Sequence, residues 1–140
     1  FYICTGGFNR IMVSASKGAV ESCGQTIGVT VNLWKGHINN YITKEIKCST
    51  LLERINKLIE LGNGFAVLQG GTGTLLELAA AWEFINKGLM ETRPIACHST
   101  IWKKIVYEMH QQMKLEGRST NLVKTFDTVE EIVNYFKENL

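Results

Sequence analysis

The sequence predicts an α/β fold, with helices covering both faces of a doubly wound parallel sheet. Three observations predict it. Short apolar runs alternate with longer amphipathic stretches from one end of the chain to the other. The short runs are uniformly apolar instead of alternating apolar with polar, as strands covered on both faces must be. Two glycine pairs, Gly6-Gly7 and Gly70-Gly71, follow two of these runs, at the carboxyl ends of strands where ligands bind in such folds.

Each element follows from local pattern. Residues 1–4 are an apolar run and read as a strand. Residues 11–23 carry Ile11, Ala15, Ala19 and Val20 at helical spacing, and Gly24 stands where a helix would stop. Residues 26–31 are rich in β-branched side chains and form a strand. Residues 33–48 are polar and irregular, with Gly36 and an Asn39-Asn40 pair, and predict a long loop of the kind that often carries function. Residues 50–61 predict an amphipathic helix, with Leu51, Ile55, Leu58 and Ile59 on its apolar face and Arg54 and Lys57 off it. Residues 65–68 are a strand, and residues 74–87 a helix stopped by Gly88. A strand at 94–97 leads into a helix at 100–115, with Ile101, Ile105 and Met109 in register. A short strand at 122–126 precedes a closing helix at 128–139, with Val129, Ile132, Val133 and Phe136 turned inward. The order is Rossmann-like. The abrupt opening on a strand leads us to expect further residues upstream of Phe1.

Composition bounds the function. A chain of 140 residues predicts a single domain, 1–140. The net charge of +2 is small and argues against a dedicated nucleic-acid binder. No apolar run approaches the ~20 residues that span a bilayer, and nothing reads as a signal peptide. Cys4, Cys23, Cys48 and Cys97 form no CxxC pair and have mostly apolar or small neighbours. They read as buried free thiols of a reducing cytoplasm. His37, His98 and His110 lack metal-ligand spacing, so no metal is expected, and nothing calls for a resident cofactor.

The chemistry concentrates in Gln69-Gly70-Gly71-Thr72-Gly73-Thr74-Leu75-Leu76-Glu77. Glycines let backbone N–H groups come close to a ligand, the helix start adds unpaired donors, and Thr72 and Thr74 add hydroxyls. Together these suit a phosphate. The segment is neither a GxGxxG turn nor a lysine-bearing P-loop. Phosphate repels a carboxylate, so Glu77 would serve another part of the ligand, a ribose hydroxyl or a glycosidic carbon. Against that stands a second reading of Glu77, as the last residue of a Thr74-to-Glu77 capping box, the tetrapeptide also found at Thr50 to Glu53. Arg54 is either a solvated helix residue or a partner for phosphate or Glu77. Gly6 and Gly7 form either a tight turn or a second wall of the crevice. Trp34, His37 and Tyr41, in the long loop, could cover a base, although Trp34 reads more readily as a core or dimer-contact residue, and Trp82 and Phe84 read as packing residues.

These residues also carry a family resemblance. The chain resembles the LOG (LONELY GUY) family, Rossmann-like proteins long labelled lysine decarboxylases, whose hallmark is Pro-Gly-Gly-x-Gly-Thr-x-x-Glu with an arginine on the preceding helix. Residues 70–77 match the hallmark after its proline, Arg54 falls at the arginine, and Gly6-Gly7, Met12 and Gly18-Ala19 resemble an earlier family segment. The resemblance covers nearly the whole chain. It implies hydrolysis of the N-glycosidic bond of a nucleoside 5′-monophosphate, purine-type and AMP-like. Arg54 and Glu77 would be catalytic, and Gly6, Gly7, Gly70, Gly71, Thr72, Gly73 and Thr74 would hold phosphate and nucleotide. It also implies a homodimer or larger homo-oligomer, and a first strand and helix upstream of Phe1. Three positions depart from the pattern: Gln69 replaces the motif proline, Ile55 stands where plant-type enzymes carry a lysine, and Arg10 takes a usual glycine.

Overall fold

A computed structural model describes residues 1–33 and 36–140. The chain has an α/β, Rossmann-like fold, in which the described residues form two three-stranded parallel sheets and five helices. It divides into two compact units, Phe1–Gly62 and Asn63–Leu140.

The first unit holds β1 (Ile3–Thr5), α1 (Ile11–Glu21), β2 (Thr26–Val31), β3 (Lys44–Cys48) and α2 (Leu51–Leu61). Its sheet runs β1-β2-β3, with Cys4 opposite Ile27 and Val29 opposite Ile46. The middle strand β2 is buried almost throughout, and Val29, Val31, Cys48, Ile55 and Ile59 make the core. β3 corrects the expected long loop. Its Lys-Glu-Ile-Lys-Cys sequence hides the strand because three of five side chains are charged. That is how an edge strand with a solvated face reads, and the charges also discourage pairing with other chains. On α1, Ser16 is the buried residue, while Ile11 and Val20, expected inward, are exposed. α1 ends at Glu21, two residues earlier than expected. Cys23, at φ 58°, takes the left-handed position, and Gly24 donates its N–H to the Ala19 carbonyl at 2.7 Å. Cys23 is therefore exposed and not buried like Cys48.

The second unit holds β4 (Phe65–Val67), α3 (Thr72–Asn86), β5 (Ile95–His98), α4 (Ser99–Leu115), β6 (Val123–Phe126) and α5 (Val129–Asn139). Its sheet runs β4-β5-β6, with Ala96 between Ala66 and Lys124. Ile95, Ala96 and Cys97 of the middle strand are fully buried. The inward face of α4 is Trp102, Val106 and Met113, so the expected stripe through Ile101 and Met109 is one residue out of phase. Trp102 sets that phase, since its indole Nε1 donates to the Leu68 carbonyl at 2.8 Å. On α5 only Ile132 is buried, and Val129 and Val133 face outward. Gly88, at φ 65°, ends α3 as expected. Among the described residues no helix is long and apolar enough to cross a membrane.

Candidate functional site

In the first unit, the carboxyl end of β1 delivers Thr5-Gly6-Gly7. Gly7 sits at φ 76°, and a Cβ there would lie 3.2 Å from Gly28 Cα. Its N–H donates to Thr5 Oγ1 at 3.1 Å. Its carbonyl accepts from the Asn39 backbone N–H at 2.8 Å and from Asn39 Nδ2 at 3.2 Å. Asn39 is buried, and Nδ2 also donates to the Phe8 carbonyl at 3.1 Å. One side chain thus fixes the first glycine turn. The sequence pattern missed it, because an Asn-Asn pair in a polar stretch reads only as loop composition. Arg10 follows as N-cap of α1 at φ 62°, a backbone region glycine favours, with no side-chain cap bond.

Arg54 corrects the expectation for α2. It lies not off the apolar face but inside the unit, 6% exposed. Thr50 caps the helix by accepting from the Glu53 N–H at 3.1 Å, and Glu53 Oε2 accepts from Ser49 N–H at 2.7 Å. This turn aims Arg54 back under the sheet, where Nε donates to the Val29 carbonyl at 2.9 Å. A Cβ on Gly6 would lie 1.9 Å from Arg54 Nη2. Burial pushes the Cys4 thiol up to about 11, and the Arg54 charge opposes that rise.

In the second unit, Gln69-Gly70-Gly71 links β4 to α3, and Gln69 is exposed. The helix begins at Thr72, with Gly71 as N-cap, its carbonyl accepting from Leu75 N–H at 3.0 Å. Thr72, Gly73 and Thr74 are therefore the first helical turn, whose N–H groups have no intrahelical acceptor. The capping box expected from Thr74 to Glu77 does not form, because Glu77 is the sixth helical residue and the N-cap is a glycine. The matching tetrapeptide at Thr50 does start a helix, and the full capping box of this chain is Thr128 with Glu131. Thr74 folds over Gly70, where a Cβ would lie 2.1 Å from Thr74 Oγ1. Cβ atoms built on Gly71 and Gly73 meet nothing within 4 Å. Glu77 is half-buried. Its Cα–Cβ bond tilts toward the helix start, beneath Gly73 one turn earlier. At the ends of β5 and β6, the Ser99 hydrogen bond and the Lys103 charge hold the Asp127 carboxyl below its usual value.

Each unit also carries a cavity. One of about 270 Å³ is lined by Ile85, Thr92, Arg118 and Leu122, at the amino ends of β5 and β6 and away from the glycine turn. One of about 150 Å³ lies by Phe8, Thr30, Glu45 and Lys47, where Thr30 Oγ1 donates to Glu45 Oε1 at 2.8 Å. His37 is exposed and Tyr41 half-buried, its carbonyl accepting from Thr26 Oγ1. Trp34 lies outside the described residues. Of the expected site residues, Gly6, Gly7 and Arg54 gather in the first unit, and residues 70–74 and Glu77 in the second.

Among curated proteins none matches the chain. Solved structures do. A molybdenum cofactor carrier protein from Chlamydomonas reinhardtii aligns at 24% identity and TM-score 0.72, over 99% of this chain and 77% of that one. The molybdenum cofactor binding protein from Rippkaea orientalis aligns at 21% identity and TM-score 0.75, with the same coverages of 99% and 77%. The X-ray structure of TM1055, a structural genomics target, aligns at 19% identity and TM-score 0.74, over 98% of this chain and 78% of that one. These likenesses are of fold. The family model described as possible lysine decarboxylase matches residues 12–136. With most of its length inside that match, the chain belongs to the possible lysine decarboxylase family, the LOG-like group that its glycine motif resembles.

Proposed function

We propose that the chain binds a purine-type nucleoside 5′-monophosphate and hydrolyses its N-glycosidic bond. The observation that carries this reading is the placement of Glu77. With α3 starting at Thr72, Glu77 is no longer the capping residue that competed with a chemical role. Its Cα–Cβ bond tilts toward the same helix start whose N–H donors suit a phosphate. In the reaction, water adds to the sugar C1′ as the C1′–N bond breaks. The bond electrons leave with the base, which gains a proton, and ribose 5-phosphate is the other product. Glu77 takes the proton from the attacking water and stabilises positive charge developing on the sugar. Arg54, a charge fixed by the Val29 carbonyl, orients phosphate or ribose. The protein acts in the cytoplasm as a homodimer or larger homo-oligomer, as the family resemblance implies.

A second reading is favoured by specific positions. Gln69, Ile55 and Arg10 depart from the hydrolase pattern, and two of the similar structures are a molybdenum cofactor carrier protein and a molybdenum cofactor binding protein. On this reading the same residues carry a nucleotide or phosphorylated cofactor without turnover.

One experiment separates them. The full chain is incubated with AMP and with prenylated AMP, and products are resolved by chromatography. Free base and ribose 5-phosphate, lost in Glu77→Ala, are expected. Binding without release would replace the hydrolase by the carrier, and absence of binding would sink both. Sedimentation velocity on the same preparation reads the assembly, and a monomer would remove the oligomer from the proposal.

A further inference from the structure

Gly6 was expected to contact phosphate through its backbone, as glycines of such turns do. Its surroundings give a steric reason for the glycine. Gly7, not Gly6, holds the positive φ of this turn, so no backbone torsion at position 6 demands glycine. What demands it is space. A built Cβ would lie 1.9 Å from Arg54 Nη2, 3.1 Å from Arg54 Cζ and 3.0 Å from Met12 Sδ. The guanidinium therefore occupies the volume that any side chain at position 6 would fill. Nε is fixed at the same time by the Val29 carbonyl at 2.9 Å, on a residue that is itself fully buried. Strand β2 holds the guanidinium at Nε, and the bare backbone at the end of β1 makes room for Nη2.

We infer that Gly6 is a positioning residue, the seat that lets the buried Arg54 guanidinium reach the carboxyl end of β1, and that it acts on ligand only through Arg54. The ligand part of this inference rests on the nucleotide-binding reading above, whereas the steric part does not. A methyl at position 6 collides with the far end of a flexible side chain, not with backbone, so Arg54 is what must move, and moving it breaks the bond to Val29.

The test is a double-mutant cycle in the full chain with Gly6→Ala, Arg54→Ala and the pair. Thermal unfolding is measured without ligand, and AMP binding by titration calorimetry. Gly6→Ala should lower the unfolding temperature on the native background and change it little on Arg54→Ala. It should weaken AMP binding about tenfold or more, as much as Arg54→Ala does, with no further loss in the pair. Equal, additive costs on both backgrounds, in unfolding or in affinity, would overturn the inference and return Gly6 to a direct ligand role. If Gly6→Ala alone does not fold, the pair should fold, and a pair that also fails would overturn it too. If native protein does not bind AMP, the nucleotide reading fails, and the unliganded cycle still decides whether Gly6 seats Arg54.

Discussion

Residues here are placed by what their neighbours leave open. Arg54 is the clearest case. Helical spacing puts it off the apolar face of α2, yet it is buried, because a glycine at the end of β1 vacates the space and a strand carbonyl accepts from its Nε. A sequence shows the charge and the spacing but not the vacancy. Cys23 is the converse case. The Schellman turn closing α1 pairs Gly24 N–H with Ala19 and Cys23 N–H with Val20, and it gives the left-handed position to a cysteine. Left-handed geometry costs a residue with a Cβ roughly 1 kcal/mol. Cys23 is exposed, so replacing it loses no packing. Cys23→Gly should therefore raise stability by about 0.5–1 kcal/mol, read in urea unfolding. Gly88→Ala, at the matching position of α3 with φ 65° and open space around it, should lower stability by a similar amount. A neutral Cys23→Gly would show that the turn relaxes without cost.

Elements were legible where burial is simple and obscure where one face is wet. β2 and β5, buried along most of their length, announce themselves by β-branched and apolar residues. β3 does not, because an edge strand with two lysines and a glutamate in five residues carries the composition of a loop. The start of α3 was misjudged for another reason: Thr-x-x-Glu is a capping signal only if the backbone before it is extended, and glycines at 70 and 71 let the helix begin earlier. That earlier start divides the motif glycines into two kinds. Gly70 is needed by the fold, since a Cβ would strike Thr74 Cβ at 2.7 Å, whereas Gly71 and Gly73 face open space. An alanine in a helical turn is more favourable than glycine by up to about 1 kcal/mol. Gly73→Ala should thus stabilise the protein by about 0.5–1 kcal/mol and at the same time weaken AMP binding, because its methyl covers N–H groups that the ligand approaches. Thermal unfolding and calorimetric titration of the one variant read both. Stability and affinity rising together would mean that nothing approaches the helix start at Gly73.

At the scale of the molecule, the alternation of apolar runs and amphipathic stretches sufficed for an α/β class, and the glycine motif sufficed for the family, because both depend on short-range pattern. The phase of the helices did not follow as well, since it is fixed by contacts remote in sequence, such as Trp102 with Leu68. One such remote contact bears on global stability. His110 of α4 meets Trp82 of α3 edge to face at 5.4 Å, and among the described residues neither His110 Nε2 nor Trp82 Nε1 has a hydrogen-bond partner. Burial, followed by the charges of Lys124 and Lys114, holds the imidazole below its usual value. The folded state therefore favours the neutral ring. Its contribution is fully present above the unfolded-state value of about 6.5 and is lost as pH falls from there toward the lower folded value. The unfolding temperature of the native protein should drop on going from pH 7 to pH 5, and His110→Gln, which keeps a neutral polar side chain, should drop less over the same interval. His37, His98 and the carboxylates are common to both proteins and cancel in the difference. Parallel curves for the two would show that His110 is as free to protonate in the folded chain as in the unfolded one.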